Sequence, residues 1–206
     1  MNIFVISPHP DDESIGCGGA IHKHVAEGDS VTVIFLTSGE QGGHGVSPEA
    51  TAVTREAEAE RACGILGVQQ FEFWRQPDGG LAVTESLIDR LAGILQKCDR
   101  VYVTHRDESH SDHRAAWNIT VQAAKRVNFP MNQVLEYEVW TPLTSMSEII
   151  DISPYLEVKL SAIRAHESQC RVLRFDEAMK GLARYRGEMH SWPGGDYAEV
   201  FSSGDL

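Results

Sequence analysis

Residues 2–36 read NIFVISPHPDDESIGCGGAIHKHVAEGDSVTVIFL, and this stretch decides the fold. Its two ends, residues 2–6 and 30–36, are β-branched runs of strand length without a helical period. Between them, apolar residues recur at helical spacing over residues 12–27, and Gly28 indicates the C-terminal stop. The stretch therefore predicts a strand–helix–strand unit with two parallel strands.

The same alternation continues along the chain. Strands are predicted at residues 70–74, 100–104 and 134–139, and helices at residues 51–66, 84–97, 111–127, 153–165 and 176–186. One short strand is expected in the irregular tail after residue 190. Alternating elements indicate a mostly parallel sheet covered on both faces, a Rossmann-like three-layer α/β/α fold. No repeat or long linker divides the chain, so residues 1–206 are predicted to form one domain.

The composition excludes several classes of protein. With 18 Lys and Arg against 30 Asp and Glu, the net charge is −12, which disfavours nucleic-acid binding. No apolar run approaches the roughly 20 residues of a membrane span, and the first residues lack the basic region of a signal peptide. We expect a cytoplasmic protein without a membrane anchor, and a homo-oligomer remains possible. Reduced thiols are predicted, because no C-x-x-C pair occurs among Cys17, Cys63, Cys98 and Cys170.

The loop after the first strand reads SPHPDDE at residues 7–13. Two prolines flank His9 and restrict the backbone before the helix begins. One interpretation is helix capping, with Asp11 or Asp12 at the N-cap. The other is that His9 and one aspartate bind Zn²⁺, which leaves the second aspartate free as a base.

A second polar loop, HRDESHSDH at residues 105–113, follows the predicted strand at residues 100–104. A helix that starts near Ser109 would place His110 and His113 on one face. Taken alone, the cluster could be a solvated helix start. Both polar loops follow parallel strands, however, so both are expected at the same edge of the sheet. Together they predict a histidine–aspartate–histidine metal site with open positions, which is typical of catalytic zinc.

Two other kinds of site fit the sequence poorly. The glycines of GCGG, residues 16–19, fall inside the first helix, whereas a phosphate-binding glycine loop lies in the turn directly after the strand. We expect these glycines to allow the helix to pack closely on the sheet. No G-x-S-x-G nucleophile elbow is present.

The motifs PHPDDE, GCGG and H-x-D-H resemble those of the PIG-L/LmbE-like family of zinc-dependent N-acetylglucosaminyl deacetylases. Weaker matches extend the resemblance over most of the chain. They are LTSGE at residues 36–40, the R-x-x-E-x-x-x-A-x-x-x-L-G helix at 55–67, PDG at 77–79, HESQ at 166–169 and AEVF at 198–201.

The resemblance implies a role for each residue of the two polar loops. It implies one zinc ion per chain on His9, Asp12 and His113. It makes Asp11 the general base. His110 would help to stabilise the oxyanion and would do so best when protonated.

The resemblance also implies roles around this centre. Asp112 would orient His110, and Arg55 would hold sugar hydroxyls, with Asp78 and Glu40 as weaker candidates for substrate binding. One position departs from part of the family: some members carry a mobile tyrosine where this chain has Glu108.

The predicted reaction is hydrolysis of the N-acetyl group of an N-acetylglucosamine-type amino sugar or its conjugate, with release of acetate. The predicted partner is therefore a small amino-sugar substrate. Two alternatives remain: a zinc amidase that cleaves a larger thiol-conjugate amide, and a non-catalytic Rossmann-like ligand-binding domain. For His166, packing and a role in the site are equally compatible with the sequence. Trp140 and Trp192 are interpreted as packing residues, with pocket lining as an alternative for Trp192.

Overall fold

The computed structural model describes residues 1–190 and 195–204, and the interpretation of Trp192 lies outside them. Seven strands are present in this part: β1 Asn2–Ser7, β2 Ser30–Thr37, β3 Gln70–Gln76, β4 Arg100–Thr104, β5 Val134–Tyr137, β6 Glu148–Asp151 and β7 Ala198–Ser203. Seven α-helices accompany them: α1 Asp12–Ala26, α2 Pro48–Leu66, α3 Glu85–Leu95, α4 Ser111–Arg126, α5 Leu156–Ala165, α6 Glu167–Cys170 and α7 Phe175–His190.

All seven strands form one sheet in the order β3-β2-β1-β4-β5-β7-β6. The first five strands in this order are parallel, and β7 runs antiparallel to both of its neighbours. The predicted mostly parallel sheet is confirmed. The sequence analysis did not predict β6 or the insertion of β7 between β5 and β6. The β6–β7 pairing joins segments about 50 residues apart and the β5–β7 pairing joins residues 66 to 68 apart, which local periodicity does not reveal.

Alternate side chains of each strand lie on opposite faces of the sheet and belong to two separate hydrophobic cores. On β1, Ile3 and Val5 belong to the core under α1, α2 and α5, whereas Ile6 belongs to the core under α3 and α4. All three side chains are at most 1% exposed. A strand that is buried on both faces explains why the run NIFVIS shows no alternation of polar residues. The predicted three-layer α/β/α arrangement is confirmed.

The glycines of α1 allow the close packing that was predicted for them. A Cβ atom on Gly16 would lie 2.1 Å from the ring of Tyr137 on β5, and one on Gly19 would lie 2.6 Å from Ile152. The helix is also kinked at Cys17, whose φ and ψ of −141° and 21° are not helical.

Two helix starts differ by three residues from their predicted positions. Helix α2 begins three residues earlier than predicted, because Ser47 caps it and Pro48 occupies its first turn. The helix predicted from residue 153 begins as a single 3₁₀ turn, Ser153–Tyr155, before α5. Within the described part of the chain, no helix is both long and apolar enough to cross a bilayer.

Candidate metal centre

The loops after β1 and β4 meet at the carboxyl edge of the sheet. These two strands are hydrogen-bonded neighbours, with Ile6 paired to Val103. The chain places β2 and β3 on one side of β1 and then returns to add β4 on the other side. Such a reversal of strand order leaves a crevice at the carboxyl ends of the two central strands, where ligands bind in open α/β sheets.

The loop after β1 is fixed by hydrogen bonds from its neighbours. Thr37 donates to the carbonyl of Pro8 from its backbone N–H at 3.0 Å and from its hydroxyl at 2.9 Å. The carboxylate of Glu13 accepts the backbone N–H of Asp11 at 3.0 Å. Asp11 itself has a φ of 120°, a region that residues with a Cβ seldom adopt. Such strain persists only where surrounding contacts hold it, and it is frequent at functional sites.

Helix capping does not explain the aspartates of this loop. Asp11 occupies the N-cap position of α1, but its side chain makes no capping hydrogen bond. The carboxylate of Asp12 turns back and accepts the backbone N–H of His9 at 2.9 Å.

Three side-chain donor atoms from the two loops converge on one point. His9 Nδ1 lies 3.1 Å from Asp12 Oδ2 and 3.2 Å from His113 Nε2. The third distance, between His113 Nε2 and Asp12 Oδ2, is 3.2 Å. The structure therefore brings together the three residues that the sequence analysis predicted as metal ligands.

This donor set fits a divalent metal ion. Nitrogen and oxygen ligands lie about 2.0–2.2 Å from a tetrahedral Zn²⁺, which separates them by roughly 3.4 Å. The three observed separations, 3.1 to 3.2 Å, are close to that spacing. His110 also lies close enough to His9 and His113 to form an alternative group of three possible ligands.

Burial and charge act in opposite directions on these ligands. Burial raises the pKa of Asp12, but the facing His113 and His9 lower it by a larger amount. The pKa of Asp12 is therefore well below its usual value, and its carboxylate stays ionised. Burial lowers the pKa of His9, but hydrogen bonds to the surrounding aspartates, with Asp112 the strongest, raise it well above the usual value.

Two carboxylates lie behind His9, on the side away from the convergence point. His9 Nε2 is 3.1 Å from Asp78 Oδ1 and 3.4 Å from Asp112 Oδ2. Asp78 also accepts the backbone N–H of Gln41 at 2.8 Å. A histidine that donates one ring N–H to a carboxylate presents the other nitrogen to a metal as a lone pair.

The structure corrects the partner of Asp112, which the sequence analysis expected to orient His110. The Asp112 carboxylate accepts the backbone N–H groups of Gly79 at 2.7 Å and Leu81 at 3.2 Å and faces His9 instead. Asp112 lies in the first turn of α4, and this turn directs its side chain toward the loop after β3. The hydrogen bond between Asp112 and His110 is made by the backbone N–H of Asp112.

His110 caps α4 and lines the cavity above the convergence point. Its Nδ1 accepts the backbone N–H of Asp112 at 3.2 Å, which assigns the proton of the neutral ring to Nε2. Burial and the neighbouring rings of His9 and His113 hold the pKa of His110 below its usual value. In the neutral ring His110 retains an Nε2–H to donate, although a protonated ring would be the stronger donor.

Asp11 lies beside the three converging atoms, and its carboxylate is bound by Arg55. The Arg55 Nη2 atom donates to Asp11 Oδ2 at 3.1 Å. Burial raises the pKa of Asp11 to about 6, even though the positive charge of Arg55 opposes this shift. A buried carboxylate in this range exchanges protons near neutral pH.

The Arg55 side chain is held by hydrogen bonds within the protein, which the sequence did not indicate. Its side chain is buried, and it donates to the carbonyls of Gly39 at 2.9 Å and Pro10 at 2.6 Å. It thereby ties the loop after β1 to the loop after β2. Arg55 still borders the cavity, and contact with sugar hydroxyls stays a prediction.

Glu40 and Asp78 differ in their positions. Asp78 lines the cavity, whereas Glu40 lies in a separate surface depression with Glu56 and Arg75. Glu40 accepts the backbone N–H of Asp78 at 2.8 Å and so supports it from behind. The structure does not bring Glu40 to the cavity wall.

The pairing of His166 with Glu13 was not predicted from the sequence, which left His166 open between packing and a role in the site. His166 Nε2 lies 3.1 Å from the carboxylate of Glu13, which also holds the backbone of Asp11. Burial lowers the pKa of His166, but the charge of Glu13 raises it overall. The signal was present as the final glutamate of PHPDDE and the first residue of HESQ, but 153 residues separate the two.

The cavity has a volume of about 320 Å³ and two unlike walls. The polar wall carries two of the predicted ligands, His9 and Asp12, together with Asp11, Arg55 and His110, whereas His113 is fully buried and does not line the cavity. The apolar wall is formed by Trp140, Val172, Leu173 and Phe175. Trp140 is 48% exposed and packs edge-on against Phe175, so it both packs and lines the cavity.

Comparisons with known proteins agree with this geometry. A curated relative, the diacetylchitobiose deacetylase of Thermococcus kodakarensis, is 30% identical over 185 residues, which cover 81% of this chain and 69% of that protein. Among solved structures, a conserved protein of Thermus thermophilus superposes with a TM-score of 0.86 and 32% identity, covering 98% of this chain and 94% of that one.

The N,N'-diacetylchitobiose deacetylase of Pyrococcus horikoshii, solved with an inhibitor, superposes with a TM-score of 0.83 and 26% identity, covering 98% of this chain and 82% of that one. The family described as PIG-L, GlcNAc-PI de-N-acetylase, matches residues 4–124, which include both polar loops. This match spans more than half of the residues, and the chain therefore belongs to the PIG-L family.

Proposed function

We propose that this chain is a zinc-dependent hydrolase that removes the N-acetyl group from an N-acetylglucosamine-type amino sugar or its conjugate and releases acetate. The observation that carries the proposal is the convergence of His9 Nδ1, Asp12 Oδ2 and His113 Nε2 within 3.2 Å of one another, with Asp11 alongside. Membership in a family of de-N-acetylases supports the same reaction.

His9, Asp12 and His113 would hold the metal. Two nitrogen donors and one oxygen donor favour zinc among the divalent ions. When bound, such an ion polarises the acetyl carbonyl and lowers the pKa of a water molecule in its open position.

Asp11 is the proposed general base. Its carboxylate borders the cavity, and the bond from Arg55 fixes its direction. Asp11 takes a proton from the attacking water and returns it to the nitrogen of the departing amine. One carboxyl group can perform both transfers, because the first leaves it protonated for the second.

His110 is the proposed donor to the oxyanion. Its Nδ1 is engaged by the backbone, so the Nε2–H is available in the cavity that the ring lines. A preoriented N–H donor stabilises the negative charge that develops on the carbonyl oxygen as water adds.

The two walls of the cavity match the chemistry of an amino sugar. A pyranose ring presents hydroxyl and amide groups at its edge and C–H groups on its faces. The polar wall suits the amide and the hydroxyls, and the apolar wall near Trp140 suits a ring face or the group attached to the sugar. A cytoplasmic location is proposed as well, supported by the four free cysteines.

The test is acetate release from N-acetylglucosamine and its conjugates by protein that has been stripped of metal and reloaded with one equivalent of Zn²⁺. We expect activity that a chelator abolishes and that added Zn²⁺ restores. Asp11→Asn serves as the matched control, because it keeps the side-chain volume but cannot accept a proton near neutral pH.

The alternatives give different outcomes in the same assay. Release of a larger acid without acetate from amide conjugates would indicate an amidase. Saturable binding of a ligand by metal-free protein, with no turnover of any amide, would indicate a binding domain. Either result would overturn the proposed deacetylase.

A further inference from the structure

A fully buried carboxylate lies directly behind His113. Glu108 is 1% exposed, and its Oε1 atom accepts three consecutive backbone N–H groups, from Val139 at 2.8 Å, Trp140 at 2.9 Å and Thr141 at 3.2 Å. Three N–H donors on one oxygen hold this carboxylate in a fixed orientation.

The second carboxylate oxygen has room for another donor. Glu108 Oε2 accepts the backbone N–H of Ser109 at 3.2 Å and lies 3.8 Å from His113 Nδ1. That nitrogen is buried and has no hydrogen-bond partner among the described residues. A buried ring N–H without a partner is costly, and Glu108 Oε2 faces it at 3.8 Å, about 0.6 Å beyond the usual range of hydrogen-bond distances.

The other nitrogen of the same ring is one of the three converging donors. His113 Nε2 is 3.2 Å from both His9 Nδ1 and Asp12 Oδ2. Nε2 can bind a metal only as a lone pair, and this requires the ring proton to reside on Nδ1. The nitrogen that must carry the proton is therefore the one that faces Glu108.

We propose that Glu108 is a positioning residue that accepts the Nδ1–H of His113, fixes its tautomer and strengthens the Nε2 atom as a metal ligand. The proposal rests on the metal site of the proposed function. His9 shows the same device, since Asp78 and Asp112 lie behind its own outward nitrogen. Each of the two histidines would thus have a carboxylate behind it.

A purely structural role for Glu108 is the competing explanation, because its Oε1 atom also organises the turn at residues 139–141. Metal affinity separates the two roles. Glu108→Gln keeps the volume and one amide oxygen for the three N–H groups, but it places an NH₂ group where Oε2 would accept from His113. Glu138→Gln is the matched control: Glu138 is buried in the same segment and accepts the backbone N–H of Leu143 at 2.7 Å, but its side chain pairs with Arg186.

The experiment measures Zn²⁺ affinity of metal-free protein by competition with a chromophoric chelator, and thermal stability of the same samples without metal. For Glu108→Gln we expect Zn²⁺ to bind about 10- to 100-fold more weakly than in the wild type. For Glu138→Gln we expect unchanged affinity even where stability falls. Wild-type affinity in folded Glu108→Gln would overturn the proposal. Failure of the wild type itself to bind Zn²⁺ would overturn the proposed function as well.

A second measurement uses the wild type and needs no variant to fold. In zinc-loaded protein with ¹⁵N-labelled histidine, we expect an exchange-protected proton on His113 Nδ1 and none on Nε2. A proton on Nε2, or no proton on either nitrogen, would contradict the proposal.

Discussion

Two clusters of buried charge lie along α1: a structural cluster of Lys159 and Glu199 at its kink, and a functional cluster of His9, Asp11, Asp12 and His113 at its N-terminus. At the kink, Glu199 accepts the N–H groups of Gly19 at 2.9 Å and Ala20 at 2.7 Å, and Lys159 donates to the carbonyl of Ile15 at 2.7 Å and pairs with Glu199. These are the backbone groups that a break in a helix leaves without partners. Lys159 and Glu199 therefore neutralise each other's charge, and both form hydrogen bonds with the backbone groups that the kink leaves unpaired.

The cluster at the N-terminus of α1 has a different arrangement. His9 Nδ1, Asp12 Oδ2 and His113 Nε2 converge on a single point, even though Asp12 Oδ2 also accepts the backbone N–H of His9. Asp11, next to them, has a strained backbone. Buried charge supports the fold where its partners are an opposite charge and backbone atoms. It can bind a cation where the lone pairs of several side chains meet at one point.

The largest expected effect tests the functional cluster. Asp11→Asn should lower the rate of deacetylation about 10²- to 10⁴-fold, the usual contribution of a general base. Zinc content should stay at the wild-type level, because Asp11 is not among the converging atoms. Initial rates and metal analysis on the same samples measure both quantities. Recovery of the Asp11→Asn rate in excess Zn²⁺ would show that Asp11 is a ligand and not the base.

The structural cluster should respond in stability instead of rate. Lys159→Met leaves Glu199 buried without its cation, and we expect a loss of about 3–5 kcal/mol in the free energy of unfolding. Urea denaturation measures this loss, and kcat and zinc content of the folded fraction should not change. A fall in zinc affinity with unchanged stability would contradict the division between the two clusters.

The rise in Tm on addition of zinc also distinguishes the two clusters. Zinc at about 1,000 times its Kd should stabilise the wild type by about 4 kcal/mol, seen as a rise in Tm. Lys159→Met should keep this rise, since its site is intact. Asp12→Asn should lose most of it, because a charged ligand is gone, and excess zinc should restore part of its activity. An equal rise in Tm for Asp12→Asn and the wild type would remove Asp12 from the metal site.

The smallest expected effect concerns the apolar wall of the cavity. Trp140→Ala should raise KM about 3- to 10-fold with little change in kcat, since a stacking contact of this kind contributes about 1 kcal/mol. Val53→Ala is a matched control, because Val53 is an exposed apolar residue on α2 outside this cavity. A loss of kcat at constant KM in Trp140→Ala would assign the residue to the chemical step instead.

Local patterns were sufficient for the parallel part of the fold. The β-branched runs of residues 2–6 and 30–36 and the helical spacing between them are each visible in the local sequence, so β1, α1 and β2 could be predicted one by one. The edge formed by β6 and β7 could not. Residues 148–151 become a strand only because β7 pairs with them, and short antiparallel pairs at a sheet edge leave a weak local signal.

The sequence by itself also determined which two loops would meet, because parallel strands deliver their following loops to the same edge of the sheet. Only the tertiary structure decided what each side chain contacts there. It directs Asp112 to His9, commits Arg55 to the backbone of two loops and turns Trp140 outward into the cavity. The physical reason is that the position of a loop follows from strand order, whereas a hydrogen bond requires two atoms from distant segments to lie within about 3 Å, which the packing of the whole molecule sets.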